Sequence, residues 1–82
     1  MKRSPIPPHQ ITIGTRVAFS REFLRNTGQF TGWAPFARGV VHSLLPLSDD
    51  RFVATVSWDD GSASGVLNVN LVREDRLHLE PV

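Results

Sequence analysis

From Phe52 to Trp58 the chain alternates. Phe52, Ala54, Val56 and Trp58 fall on one side of an extended backbone, and Val53, Thr55 and Ser57 on the other. A period of two in β-branched and aromatic residues marks a strand lying on a pleated surface. Asp60-Gly61 follows, and both residue types tolerate the positive φ of tight hairpin turns, so a strand and the start of a hairpin are expected here. The same period marks four more strands. Val17 and Phe19 alternate within Thr15 to Ser20. Val40, His42 and Leu44 oppose Val41, Ser43 and Leu45 within Gly39 to Leu47. Val66 and Asn68 oppose Leu67 and Val69. Leu77 and Leu79 alternate within Leu77 to Glu80. Pro46 cannot donate to a ladder, so the second strand should end there or lie at an edge. Ser48-Asp49-Asp50 reads as a turn, Ser62 to Gly65 as a small-residue connection, and Asn70 to Arg73 as a tight helical turn carrying Leu71 inward. The expected core is Val17, Phe19, Val40, Phe52, Ala54, Val56, Trp58, Leu67, Val69, Leu71 and Leu79. A one-residue slip would turn any strand's side chains to the opposite face.

The period breaks between the first two strands. Ser20 can cap a helix, Glu22 suits its first turn, and Asn26 and Gly28 are stop signals. One or two helical turns are expected, with Phe23 or Leu24 pointing inward. Gln29 to Arg38 then reads as a loop punctuated by Gly32 and Pro35, with Phe30, Trp33 and Phe36 at every third position. Three large rings in a loop either fold back as a lid or are displayed. Before the first strand, Pro5, Pro7 and Pro8 mark an extended, mobile arm over residues 1–12, with a single domain over 13–82.

Composition narrows the chemistry. The chain has 82 residues, enough for one small domain, and no cysteine, which excludes disulfides, thiolate metal sites and a cysteine nucleophile. Lack of cysteine agrees with a cytoplasmic setting. The opening MKRSPIPPHQ has no apolar run behind its basic residues and is not expected to be a signal peptide. No apolar stretch approaches the about 20 residues of a membrane helix. The net charge of +1 is unevenly spread: six basic residues stand against Glu22 up to Ser48, and three stand against seven acidic residues from Asp49 on. Eight of the nine basic residues are arginine, whose planar fork suits phosphates, carboxylates and aromatic faces.

GTRVAFS, VSWDDG, GVLNVNLVR and LHLEPV together resemble the small β-barrels of Tudor and KOW type. The resemblance implies an all-β, five-stranded SH3-like barrel with a short helical and aromatic insertion after the first strand. It covers most of the chain from Thr15 on, except Arg21 to Arg38, and says little about function, because that barrel hosts many. FSREFL, TG, FARG and NVNLVRED also resemble segments of short uncharacterised proteins of phage, prophage and other mobile elements. The plasmid-borne type II dihydrofolate reductases build one active pore from four barrels of this size. Their Val-Gln-Ile-Tyr strand motif falls where this chain has Val66-Leu67-Asn68-Val69. The glutamine and tyrosine are missing, so the catalytic role does not carry over.

The sharpest candidate site is Phe30, Trp33 and Phe36 with Arg21, Arg25 and Arg38. Such a set can anchor a protein partner or stack bases and pair phosphates; equally, the rings can fill a small core. Trp58 and Phe52 are expected in the core rather than in a cage for methylated lysine. Asp59 and Asp60, adjacent at a strand end, should point different ways. His9, His42 and His78 lack the spacing of a zinc site, and no nucleophile elbow, Walker loop or GxGxxG is present. The expectation is a non-catalytic binding module without cofactor or metal. Its partner is a protein or a second copy of itself, with nucleic acid the alternative, an oligomeric reductase-like enzyme a second one, and no membrane role. Apolar residues on both faces of the second strand favour a homodimer.

Overall fold

A computed structural model describes residues 11–79. The proposed arm therefore lies outside the described residues except for Ile11 and Thr12, as do Glu80 and Pro81 at the end of the expected last strand. The structure is mostly β. Strands β1 (Arg16–Phe19), β2 (Gly39–Pro46), β3 (Phe52–Trp58), β4 (Ala63–Leu67) and β5 (Leu71–Arg73) form one antiparallel sheet in the order β4-β3-β2-β1-β5. The sheet is open: no β4–β5 pairing closes it among the described residues. Helix α1 (Arg21–Asn26) follows β1, and 3₁₀ turns cover Ala34–Phe36, Asn68–Asn70 and Glu74–Leu79.

The core comprises Ile11, Val17, Phe19, Ala34, Ala37, Val41, Ala54, Val56, Trp58 and Leu71, with Phe23, Leu24, Leu44, Phe52 and Val66 packed against it. The alternation of β1 and β3 is therefore read correctly. That of β2 is not: a bulge at His42, between the Val41–Val56 and Ser43–Thr55 pairs, shifts the phase. Val41 and Leu44 face the core, while Val40 pairs with Ser57 on the outer face. Extra residues of this kind leave the ladder locally unpaired and turn the strand.

The second half departs further. β4 begins at Ala63, three residues before its expected start, because the small residues fit tight places. Ser64 Oγ accepts from Trp58 Nε1 at 2.9 Å, and a Cβ on Gly65 would sit 3.1 Å from a Val53 methyl. Asn68 ends the ladder. Its Oδ1 accepts from Phe52 N–H, and its Nδ2 donates to the Asp50 carbonyl, both at 3.1 Å. The 3₁₀ turn therefore forms at Asn68–Asn70, and Leu71 enters the core from a strand rather than from a helical turn. Leu67 and Val69, expected in the core, are exposed. Leu77 and Leu79 form no strand: Glu74–Leu79 is 3₁₀ helix, and β5 occupies the edge beside β1. Ile11, at the start of the described residues, is buried.

One guanidinium clasps the strands. Arg16 on β1 donates to both carboxylate oxygens of Asp59 after β3 (3.2 and 2.7 Å) and to Glu74 after β5 (2.7 Å). These bonds raise the Arg16 pKa and hold Asp59 below its ordinary value. All three side chains are substantially exposed, so solvent screening keeps the contribution of the clasp modest.

Candidate binding surface

The insertion between β1 and β2 is built by two capping devices. At the start of α1, Ser20 Oγ accepts from Phe23 N–H at 3.1 Å, and the Ser20 N–H donates to the Asn70 carbonyl at 2.9 Å, anchoring the helix start to the chain entering the neighbouring strand β5. At its end, Gly28 adopts φ 70°. Gly28 N–H donates to the Arg25 carbonyl and Gln29 N–H to the Leu24 carbonyl. That pair of bonds is a Schellman motif, which reverses the chain and brings the residue after glycine over the last helical turn. Gln29 is thereby laid against Leu24, and Phe30 is launched alongside.

The result is a groove of about 270 Å³ lined by Arg21, Leu24, Arg25, Gln29, Phe30 and Pro35. Arg21 and Arg25 are four residues apart, which places them on one helix face. Leu24, Phe30 and Pro35 supply apolar walls. Of the six residues singled out in the sequence, the structure brings Arg21, Arg25 and Phe30 together here. Leu24, Gln29 and Pro35 were not singled out; the Asn-Thr-Gly-Gln run at the helix end is the signal that would have placed two of them.

The three rings separate. Trp33 docks: its ring lies edge-on to Phe19 at 5.9 Å and to Trp58 at 5.4 Å, and Phe19 in turn stacks on Trp58 at 4.8 Å and on Phe23 at 5.0 Å. It still leaves 47% of its surface exposed. Phe30 and Phe36 are displayed, at 69% and 73% exposure, and do not fill the core. Arg38 is folded back. Its Nη1 donates to the Ala37 carbonyl at 2.8 Å, and its Nε lies 3.9 Å from Glu74. It belongs to the support of the loop rather than to the groove.

The remaining polar candidates are accounted for locally. Asp59 turns to Arg16, and Asp60 accepts from the N–H and hydroxyl of Ser62 at 2.9 and 2.6 Å, which holds its carboxyl below the ordinary range. The two carboxylates thus point different ways, as the sequence implied. Among the described residues no group of three or more His, Cys, Asp or Glu is placed to hold a metal ion, and no helix is long and apolar enough to cross a membrane. No protein-family model matches the chain, and no curated protein or solved structure matches it either.

Chemically, the groove can take an apolar side chain against Leu24, Phe30 and Pro35 while an anionic group lies beside the two arginines.

Proposed function

We propose that the chain is a non-catalytic binding module on an SH3-like scaffold, and that its working surface is the groove between α1 and the Ala34–Phe36 turn. The strand order, with a 3₁₀ turn between β4 and β5, supports the scaffold reading. The observation that carries the binding reading is the display of Phe30 beside the apolar groove. Exposed aromatic residues flanked by arginine are the typical anchors of protein interfaces. The partner is a protein segment with an apolar anchor residue. On the resemblance to mobile-element proteins, it is sought among phage and host proteins.

The test is site-specific. A photo-reactive phenylalanine analogue at position 30 should give a discrete protein adduct in cells, and the same group at exposed Asp75, after β5 at the opposite edge of the sheet from β4, should not. Equal adducts at both positions would overturn the reading. Arg21 and Arg25 beside Phe30 also favour a second reading, binding of single-stranded nucleic acid. That reading requires a steep salt dependence, roughly 0.7 log unit in affinity per log unit of salt for each phosphate neutralised. Absence of oligonucleotide binding at low salt removes it.

A further inference from the structure

β4 is the outermost strand on one side of the sheet, paired with β3 alone. Its hydrogen-bonding phase is set at the turn, where Trp58 N–H donates to the Ser62 carbonyl at 2.8 Å. In an antiparallel ladder, pairs that exchange both bonds alternate with pairs that exchange none. Counting from Trp58 and Ser62, the register makes Val56–Ser64 and Ala54–Val66 the bonded pairs. Phe52 then closes the series on the Asn68 side chain. The N–H and C=O groups of Ala63, Gly65 and Leu67 therefore point away from β3. Leu67 is the N-cap of the Asn68–Asn70 turn, so its C=O already accepts within that turn; outside it, among the described residues, no loop or side chain bonds to these groups.

Exposed edges are normally blunted by charged residues, proline or a bulge. This edge has none of these. Gly61 to Val72 contains no Asp, Glu, Lys, Arg or Pro, and the β3–β4 register is unbroken. The outer face behind the edge is also uncharged, in the rows Leu45–Val53–Leu67, Ser43–Thr55–Gly65 and Val40–Ser57–Ala63.

We propose that β4 pairs antiparallel with β4 of a second copy of this chain, about a two-fold axis at Gly65. Gly65 of one copy then faces Gly65 of the other, where no side chains crowd the axis. Ala63 faces Leu67, small against large, on both sides of the axis. The Gly65 pair exchanges both of its bonds; in each Ala63–Leu67 pair the Leu67 N–H donates to the Ala63 carbonyl, and the Leu67 carbonyl is shared between the Asn68–Asn70 turn and the Ala63 N–H. The charge pattern selects a second copy over an unrelated segment. About this axis residue 65 meets itself and 63 meets 67, so an edge carrying one sign of charge would repel its copy; this edge carries none, and so it neither repels a copy nor offers a charge to hold a charged segment. The area sets the strength. A stable interface takes about 800 Å² per partner, roughly a seventh of the 5564 Å² the chain exposes. A five-residue edge about 17 Å long falls short of that, even with exposed Leu67 and Val69 beside it, so the dimer is weak and concentration-dependent.

The experiment is sedimentation equilibrium of the full chain from about 10 µM to 1 mM, a range that spans weak association. The mass should rise from 9.1 kDa toward that of the dimer. Ala63→Lys/Leu67→Lys, which sets lysine against lysine, should stay monomeric throughout. Ala63→Glu/Leu67→Lys, which sets glutamate against lysine in the same register, should dimerise at least as well as the native chain. Because either variant could fold poorly, amide exchange is followed on the native chain as well. Exchange at Ala63, Gly65 and Leu67 should slow at least threefold over the concentration range. A native chain that stays monomeric to 1 mM, equal dimerisation of both variants, or exchange at these amides independent of concentration would overturn the proposal.

Discussion

Replacing each ring of the insertion by alanine separates support from display. Trp33 packs edge-on against Phe19 and Trp58 and leaves 47% of its surface exposed. Removing a fully buried large aromatic costs about 3–5 kcal/mol. Half of that, about 2 kcal/mol, is the scale for Trp33→Ala, and the two edge contacts favour the upper side because such pairs contribute about 0.5–1.5 kcal/mol each. A domain of this size has a total stability of roughly 4–12 kcal/mol. At about 4–8 °C per kcal/mol, Trp33→Ala should lower the Tm by roughly 8–16 °C. Phe30 and Phe36, at 69% and 73% exposure, should each cost under about 0.5 kcal/mol, as surface substitutions do, and move the Tm by less than about 4 °C. Thermal and urea unfolding followed by circular dichroism reads all three. A Phe30→Ala or Phe36→Ala loss equal to that of Trp33→Ala would refute the division. The rings would then serve the fold, and the groove would lose its reason to be a binding surface.

Gly39→Ala should be among the most damaging small substitutions, because its Cβ would fall 2.6 Å from the Ser57 carbonyl oxygen and 3.0 Å from the Trp58 Cα, both backbone atoms; a loss of about 1–3 kcal/mol or more is expected, and unchanged urea stability would contradict the packing described. Asp59 and Asp60 have folded pKa values below their ordinary 3.8, so their contributions are present above that value and are lost as pH falls through the lower folded values. The slope of stability below about pH 4 should flatten in Asp59→Asn, and an unchanged slope would remove the Arg16 clasp as its cause. The purified chain should show no dihydrofolate reduction by NADPH at any concentration up to 1 mM, about the upper end of the association range; turnover would overturn the non-catalytic reading.

The central strands were legible because alternation in Phe52–Trp58 and Val17–Phe19 coincides with burial on one face. The phase of β2 was not: His42 is an inserted residue, and a periodic reading has no signal for an insertion. β4 was misplaced because Ser64 and Gly65 look like turn residues. Their smallness instead answers to Trp58 Nε1 and the Val53 methyl, contacts that exist only in the folded sheet. Leu77 and Leu79 are too few for a period to separate strand from 3₁₀ helix, and three residues upstream had already filled the edge of β1. At the insertion, the cap at Ser20 and the stop at Gly28 were readable from residue type. The parting of Trp33 from Phe30 and Phe36 was not, since rings spaced by three in a loop share no lattice. Nor was the capture of Arg38 by the Ala37 carbonyl.

Under the proposed function, Phe30 and its groove hold a protein partner. The most direct measurement is a calorimetric titration of the protein crosslinked at position 30, identified and purified, against the native chain and Phe30→Ala. Because Phe30 hardly touches the core, the variant should stay folded and bind at least tenfold more weakly, the loss expected of an interface anchor of roughly 1.4 kcal/mol or more. Equal affinity for the native chain and for folded Phe30→Ala would contradict the claim.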